Sequence, residues 1–248
     1  MYTEEELIGL LQDSLDQGSS PKTKAWWEKY LRNVIEFRGI GIPEIRERLA
    51  QWRDEFGIAT WEKQDQLRIA LGLFDSTVAE DKLAGILFLQ EYLYDQLEWR
   101  ALLPKYEQLY AKGLIFDWNT CDWFCVRVLG PTILSNGLAC AKAIAGWSQA
   151  DNLWQARSSV VAFVPVAADD RYHPLIYESC DSLIRRNERF AKTAVGWILR
   201  DLSKHDKDGV KEFIESHLKC FSIESIRNAL KYFPDNERNQ YVAKLKAG

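Results

Sequence analysis

No run in the 248-residue sequence approaches the roughly 18–20 uncharged apolar residues that a membrane-crossing helix needs, so the chain is read as soluble with no membrane partner. The opening segment, MYTEEELIGLLQDSLDQG, has no basic stretch, no continuous apolar core and no small-residue cleavage site. It is expected to be an amphipathic helix rather than a secretory leader. No stretch alternates apolar and polar residues over a strand's length, which argues against a sheet. No Pro/Gly/Ser-rich linker divides the chain, so residues 1–248 are expected to form a single domain. Histidine is scarce, with three residues, and the five cysteines at 121, 125, 140, 180 and 220 are odd in number. Reduced thiols in the cytoplasm fit that pattern. Cys121 and Cys125 lie one helical turn apart, but no histidine follows at zinc-site spacing, so no metal site is expected. Cations are not in excess either: a formal charge of −4 argues against a protein that coats nucleic acid indiscriminately, though a local basic groove remains open.

What is present is helical periodicity almost throughout. Val210, Phe213, Ile214, His217 and Leu218 step as one helix face, and Ile223, Ile226, Leu230 and Phe233 do the same. Pro21, Pro43, Pro104, Pro131, Pro174 and Pro234 fall where first helical turns would begin. Thr77 with Glu80 forms a capping-box pattern. Helices are predicted near 3–17, 21–36, 42–55, 60–74, 78–95, 100–112, 118–129, 131–146, 150–164, 171–185, 187–202, 206–218, 222–232 and 234–246. Short connections between helices of this length suit antiparallel pairs repeating at about the period of HEAT or armadillo units, an all-α solenoid.

Two of these helices carry a charge inside the apolar stripe. Asp122 lies among Trp118, Cys121, Cys125, Val126 and Leu129, and Arg157 among Leu153, Ala156, Val160, Val161 and Val164. Either charge buried alone costs several kcal/mol, so each must face a partner, a solvent-lined groove or a ligand. Trp197 lies beside the stripe Ala191, Ala194, Val195, Ile198 and Leu202, next to Arg200. Asp122 to Arg157 is about 35 positions and Arg157 to Trp197 about 40, close to a repeat period, so Trp118, Asp122, Arg157 and Trp197 fall at equivalent places on successive repeats. Taken alone, a structural ion pair between Asp122 and Arg157 is the better explanation of the two charges, and partial burial that of the tryptophans.

The string Trp118-Asn119-Thr120-Cys121-Asp122 resembles the W-D-T-V-D motif of the AlkD-like DNA alkylation repair enzymes, which are HEAT-like repeat DNA glycosylases. Leu153-Trp154-Gln155-Ala156-Arg157 resembles the family's I-W-L-Q-R segment, Ala194 to Arg200 its A-I-G-W-V-L-R segment, and Gly39-Ile40-Gly41-Ile42-Pro43 its G-I-K-T-P segment. Asn119 and Cys121 depart from the motif, and so does the acidic overall charge. The resemblance implies a right-handed solenoid of helix pairs with a concave face for duplex DNA, and removal of cationic alkylated purines such as 3-methyladenine and 7-methylguanine without a cofactor. By motif, Asp122 is the catalytic carboxylate, Trp118 and Trp197 contact the lesion's deoxyribose, and Arg157 contacts backbone phosphate. Tyr30, in Lys29-Tyr30-Leu31, matches a DNA-contacting tyrosine, and Arg200 is the further DNA-binding candidate. The protein is expected to be a monomer.

The chemistry suits these residue types. A cationic purine leaves readily, so the need is for a carboxylate to stabilise the oxocarbenium-like sugar and orient water, with indole faces against the electron-poor ring. Arg32, Arg38, Arg46, Arg157, Arg185, Arg186, Arg189, Lys192 and Arg200 supply cations for a groove. Two alternatives stay open: a non-catalytic relative that binds branched or damaged DNA, and a helical protein-interaction scaffold.

Overall fold

The computed structural model describes residues 2–247, and among these the chain is all-helical, with one isolated parallel bridge between Glu36 and Val78 as its only β-type pairing. Two compact units divide it, Met1–Val128 and Leu129–Gly248.

The first unit contains α1 (Glu4–Gln17), α2 (Pro21–Tyr30), α3 (Ile42–Glu55), α4 (Lys63–Gly72), α5 (Ala79–Phe88), α6 (Trp99–Ala111) and α7 (Trp118–Phe124). α1 packs on α3 and α4, and α5 packs on α3, α4 and α7. Leu7, Leu11 and Leu15 of α1 bury one face, as the amphipathic reading of the opening segment requires. The second unit contains α8 (Gly130–Ala145), α9 (Leu153–Val161), α10 (His173–Ile184), α11 (Arg189–Leu202), α12 (Lys207–His217), α13 (Ile223–Ala229) and α14 (Asp235–Ala247). α11 is its centre, packed on α9, α10, α12 and α13. Its predicted stripe, Ala191, Ala194, Val195, Ile198 and Leu202, is completely buried.

Four local expectations are corrected. The helix predicted over 21–36 ends at Tyr30, because Arg32 and Asn33 adopt left-handed backbone conformations (φ 57° and 55°) and the Asn33 amide donates back to the Glu28 carbonyl at 2.7 Å. That reversal buries Ile35 and Phe37, a gain the apolar spacing alone does not distinguish from a longer helix. Thr77 does not cap α5: the residue before the helix is Val78, which offers no side-chain acceptor, and Glu80 turns elsewhere. Pro104 lies inside α6, where burial of Leu102, Leu103, Tyr106, Leu109 and Tyr110 outweighs the one backbone bond that proline forfeits. The helices predicted over 78–95 and 118–129 each end in a wider π-type turn, at Leu89–Leu93 and Cys125–Leu129. Such turns accommodate an extra residue within a helix.

The helical run Trp118–Gln149 is long and apolar enough to cross a membrane by length and composition. Half of its most apolar window is buried inside the protein, and core helices meet the same test. The run is interrupted at Gly137, whose φ of 68° is not helical.

Candidate functional site

In the first unit the site is built upward from Glu80. This carboxylate, 1% exposed, accepts hydrogen bonds from the backbone amides of Arg38 (2.9 Å), Gly39 (2.7 Å) and Ile40 (3.3 Å). The loop so held passes against the start of α2. Gly39 has φ 86°, and a Cβ there would come within 2.3 Å of the Ser20 carbonyl and 2.4 Å of the Lys24 amide, so no larger residue fits. The next side chain but one toward α2, Phe37, stacks on Trp27 with centroids 5.7 Å apart. Leu31, Ile35, Phe37 and Ala79 form the cluster on which Trp27, Phe116 and Trp118 lie half-buried.

Trp118 is the first residue of α7. Asp117 caps that helix, its carboxylate accepting from the Thr120 amide at 2.9 Å. Burial pushes the Asp117 carboxyl above its usual value, and the hydrogen bond from Thr120 and the nearby Lys82 charge only partly offset this. Lys82 is itself buried and donates to the carbonyls of Phe74 and Leu114, and burial lowers its pKa. Asp122 follows one turn after Trp118 on the same flank of α7 and is 9% exposed. Cys121 and Cys125, weighed above as metal ligands, are completely buried in the core.

Tyr30 joins Trp118: the rings meet edge to face at 5.5 Å. Sequence reading missed the two residues that extend this contact. Trp26 stacks on Tyr30 with centroids 5.2 Å apart and planes 13° from parallel, and Trp27 meets Trp26 edge-on at 4.8 Å. The signal was present as W-W-x-x-Y, which places Trp26 and Tyr30 one turn apart on a single helix face.

In the second unit, Arg157 is 4% exposed and its Nη1 donates to the Phe190 carbonyl at 2.6 Å and to Thr193 Oγ1 at 3.2 Å. It therefore braces the first turn of α11. Trp197 lies one turn beyond Thr193, half-buried, with its indole N–H buried and without a hydrogen-bond partner. The Arg200 guanidinium lies 5.7 Å from the Trp197 ring and donates to Asp201 at 2.7 Å. Burial would raise the Asp201 carboxyl, but the hydrogen bonds from Lys204 and Arg200 outweigh it and hold the group below its usual value. The structure thus brings Tyr30, Trp118 and Asp122 into one neighbourhood of the first unit. It places Trp197 beside Arg200, and Arg157 against α11, in the second.

The cations predicted for a groove are mostly committed to acids. Arg38 bonds to Asp16 and Asp81, Arg46 to Glu91, Arg185 to Asp181, Arg186 to Glu188 and Arg189 to Glu224. Lys192 donates to the Cys220 carbonyl. An open polar depression of ≈ 460 Å³ in the second unit is lined by residues including Gln149, Asp181 and Arg186, and by none of the six predicted site residues.

Among solved structures, the chain resembles one described as "Predicted DNA alkylation repair enzyme from Enterococcus faecalis", with a TM-score of 0.76 and 20% identity over 88% of this chain and 97% of that one. At that identity the likeness establishes the fold. No curated protein sequence matches significantly. The family described as DNA alkylation repair enzyme matches residues 11–233, most of the chain, and this protein belongs to that family.

Proposed function

We propose that the protein is a DNA glycosylase that hydrolyses the N-glycosidic bond of positively charged alkylated purines, 3-methyladenine and 7-methylguanine, in duplex DNA, the first step of base excision repair. In this reading the helix pairs form a right-handed HEAT-like solenoid with a concave DNA-binding face, and the enzyme acts as a cytoplasmic monomer. The observation that carries it is a nearly buried carboxylate, Asp122, one turn from an indole, Trp118, that already has an aromatic neighbour in Tyr30. Membership of a DNA alkylation repair family supports alkylated DNA as the substrate.

The chemistry follows from charge. Cleavage moves the purine's positive charge onto the deoxyribose as the neutral base departs, so a general acid is dispensable and a fixed anion is not. Asp122 faces that developing cation and orients the attacking water, whose proton it accepts. Trp118 and Trp197 offer electron-rich faces to the same sugar. Arg157 and Arg200 contact backbone phosphate and set register rather than sequence. Capture through sugar and backbone leaves the modified base outside any tight pocket, which tolerates bulky adducts.

The test is release of free 7-methylguanine from methylated duplex DNA by wild type and Asp122→Asn side by side. Wild type is expected to release the base, and the variant to fall by about a hundredfold or more, the scale on which single electrostatic groups act in active sites. A wild-type protein that binds this DNA and releases nothing would overturn the reading.

A further inference from the structure

We propose that the outer face of α2 is a base-stacking platform on which the Trp26–Tyr30 pair receives an unpaired nucleobase of the bound DNA. The proposal rests on the DNA-binding reading above and adds a contact site for a part of the nucleic acid that the sugar chemistry does not engage.

α2 buries none of its residues completely. Trp26 is 57% and Tyr30 54% exposed, whereas the adjacent Trp27 turns inward onto Phe37. The fold therefore packs one of two consecutive indoles half-buried against the core cluster and leaves the other stacked on a phenol in water. That pair is held from behind. Trp27 meets Trp26 edge-on, Tyr30 rests on Trp118, and Glu28 accepts a hydrogen bond from the Phe37 amide beneath. A pre-formed aromatic face loses little entropy when a third ring adds to it.

Charge selects the occupant. The helix and its following turn carry Lys22, Lys24, Lys29 and Arg32 against Glu28, in a chain whose formal charge is −4. Lys24 lies 3.6 Å from Glu28, and among the described residues no ion pair is found for Lys22, Lys29 or Arg32. Flat apolar rings bordered by uncompensated cations match the π-faces and phosphates of an unstacked nucleotide. The platform is continuous with the proposed sugar site through the Tyr30–Trp118 contact. A base displaced from its pair next to that site has its faces open to a stacking partner.

The experiment measures binding of the full chain to two unmodified duplexes, one fully paired and one with a single unpaired adenine, so that no base release intervenes. Stacking on an aromatic residue is worth roughly a tenfold change or more per base, so wild type is expected to prefer the unpaired-base duplex by about tenfold. Trp26→Ala should reduce that preference to about threefold or less, and Trp26→Phe should retain most of it. Circular dichroism and Tm establish that each variant is folded. Equal affinity of wild type for the two duplexes overturns the proposal, as does a preference that survives in folded Trp26→Ala. So does a dimer that Trp26→Ala dissociates without altering DNA preference, which would assign this face to a second copy of the chain. Base release by a wild type that shows no preference leaves the glycosylase reading standing and removes the platform alone. A wild type that binds neither duplex also removes the platform, and the glycosylase reading then stands or falls on base release from methylated DNA.

Discussion

Asp201 decides how much of Arg200 is available to DNA. With Lys204 on one oxygen and Arg200 on the other, the carboxylate holds the guanidinium beside the Trp197 ring. Its folded-state pKa lies below the ordinary 3.8, so the unfolded chain takes up the proton first as pH falls. The stabilisation is therefore fully present above that ordinary value and is lost as pH falls through the lower, folded one. Asp201→Asn is expected to be less stable than wild type by up to about 1 kcal/mol at neutral pH. The gap should close below pH 3.8, as thermal melts from pH 2 to 7 would record. Sequence exposed some residues of this kind and hid others. Asp122 and Arg157 were legible because a charge within an apolar stripe is a visible contradiction. Glu80 was not, because its spacing from Thr77 imitates a helix cap while its carboxylate serves a loop about 40 positions upstream.

At the scale of elements, helix order and most boundaries were legible because burial repeats every three to four residues and most prolines mark starts. The end of α2 was not, since Leu31 and Ile35 continue the helical spacing through a turn made by two left-handed residues. The crossing of α11 and α13 was equally silent. Gly196 lies there, and a Cβ would come within 2.5 Å of the Ser225 carbonyl oxygen and 3.0 Å of its Cα. Backbone atoms of a packed helix cannot swing aside as a side chain does. Gly196→Ala is thus expected to destabilise the protein by roughly 1–3 kcal/mol. In a chain of this size each kcal/mol lowers Tm by roughly 2–4 °C, a shift that calorimetry resolves. The same substitution displaces Trp197, its neighbour in sequence, so base release should fall along with Tm.

For the whole molecule, an acidic chain that handles DNA must do so with few available cations. Most groove candidates already have carboxylate or carbonyl partners, whereas around α2 Lys24 alone has one, Glu28, and among the described residues no ion pair is found for Lys22, Lys29 or Arg32. About four phosphate contacts would give a salt dependence near the fourth power. On that footing duplex affinity should fall by roughly a hundredfold between about 50 and 200 mM salt, well short of the loss expected for a strongly basic binder. Anisotropy titrations across that range check it, and a slope near zero would exclude phosphate contacts. The net charge on its own pointed away from DNA, and only the placement of its partners shows where positive charge is left over. The loop on Glu80 carries a dynamic consequence of its own. Three amides bond to the two oxygens of one carboxylate: when it departs, Arg38, Gly39 and Ile40 lose protection together. Hydrogen exchange at these positions should then report one common opening free energy, that at which the support behind the aromatic wall lets go.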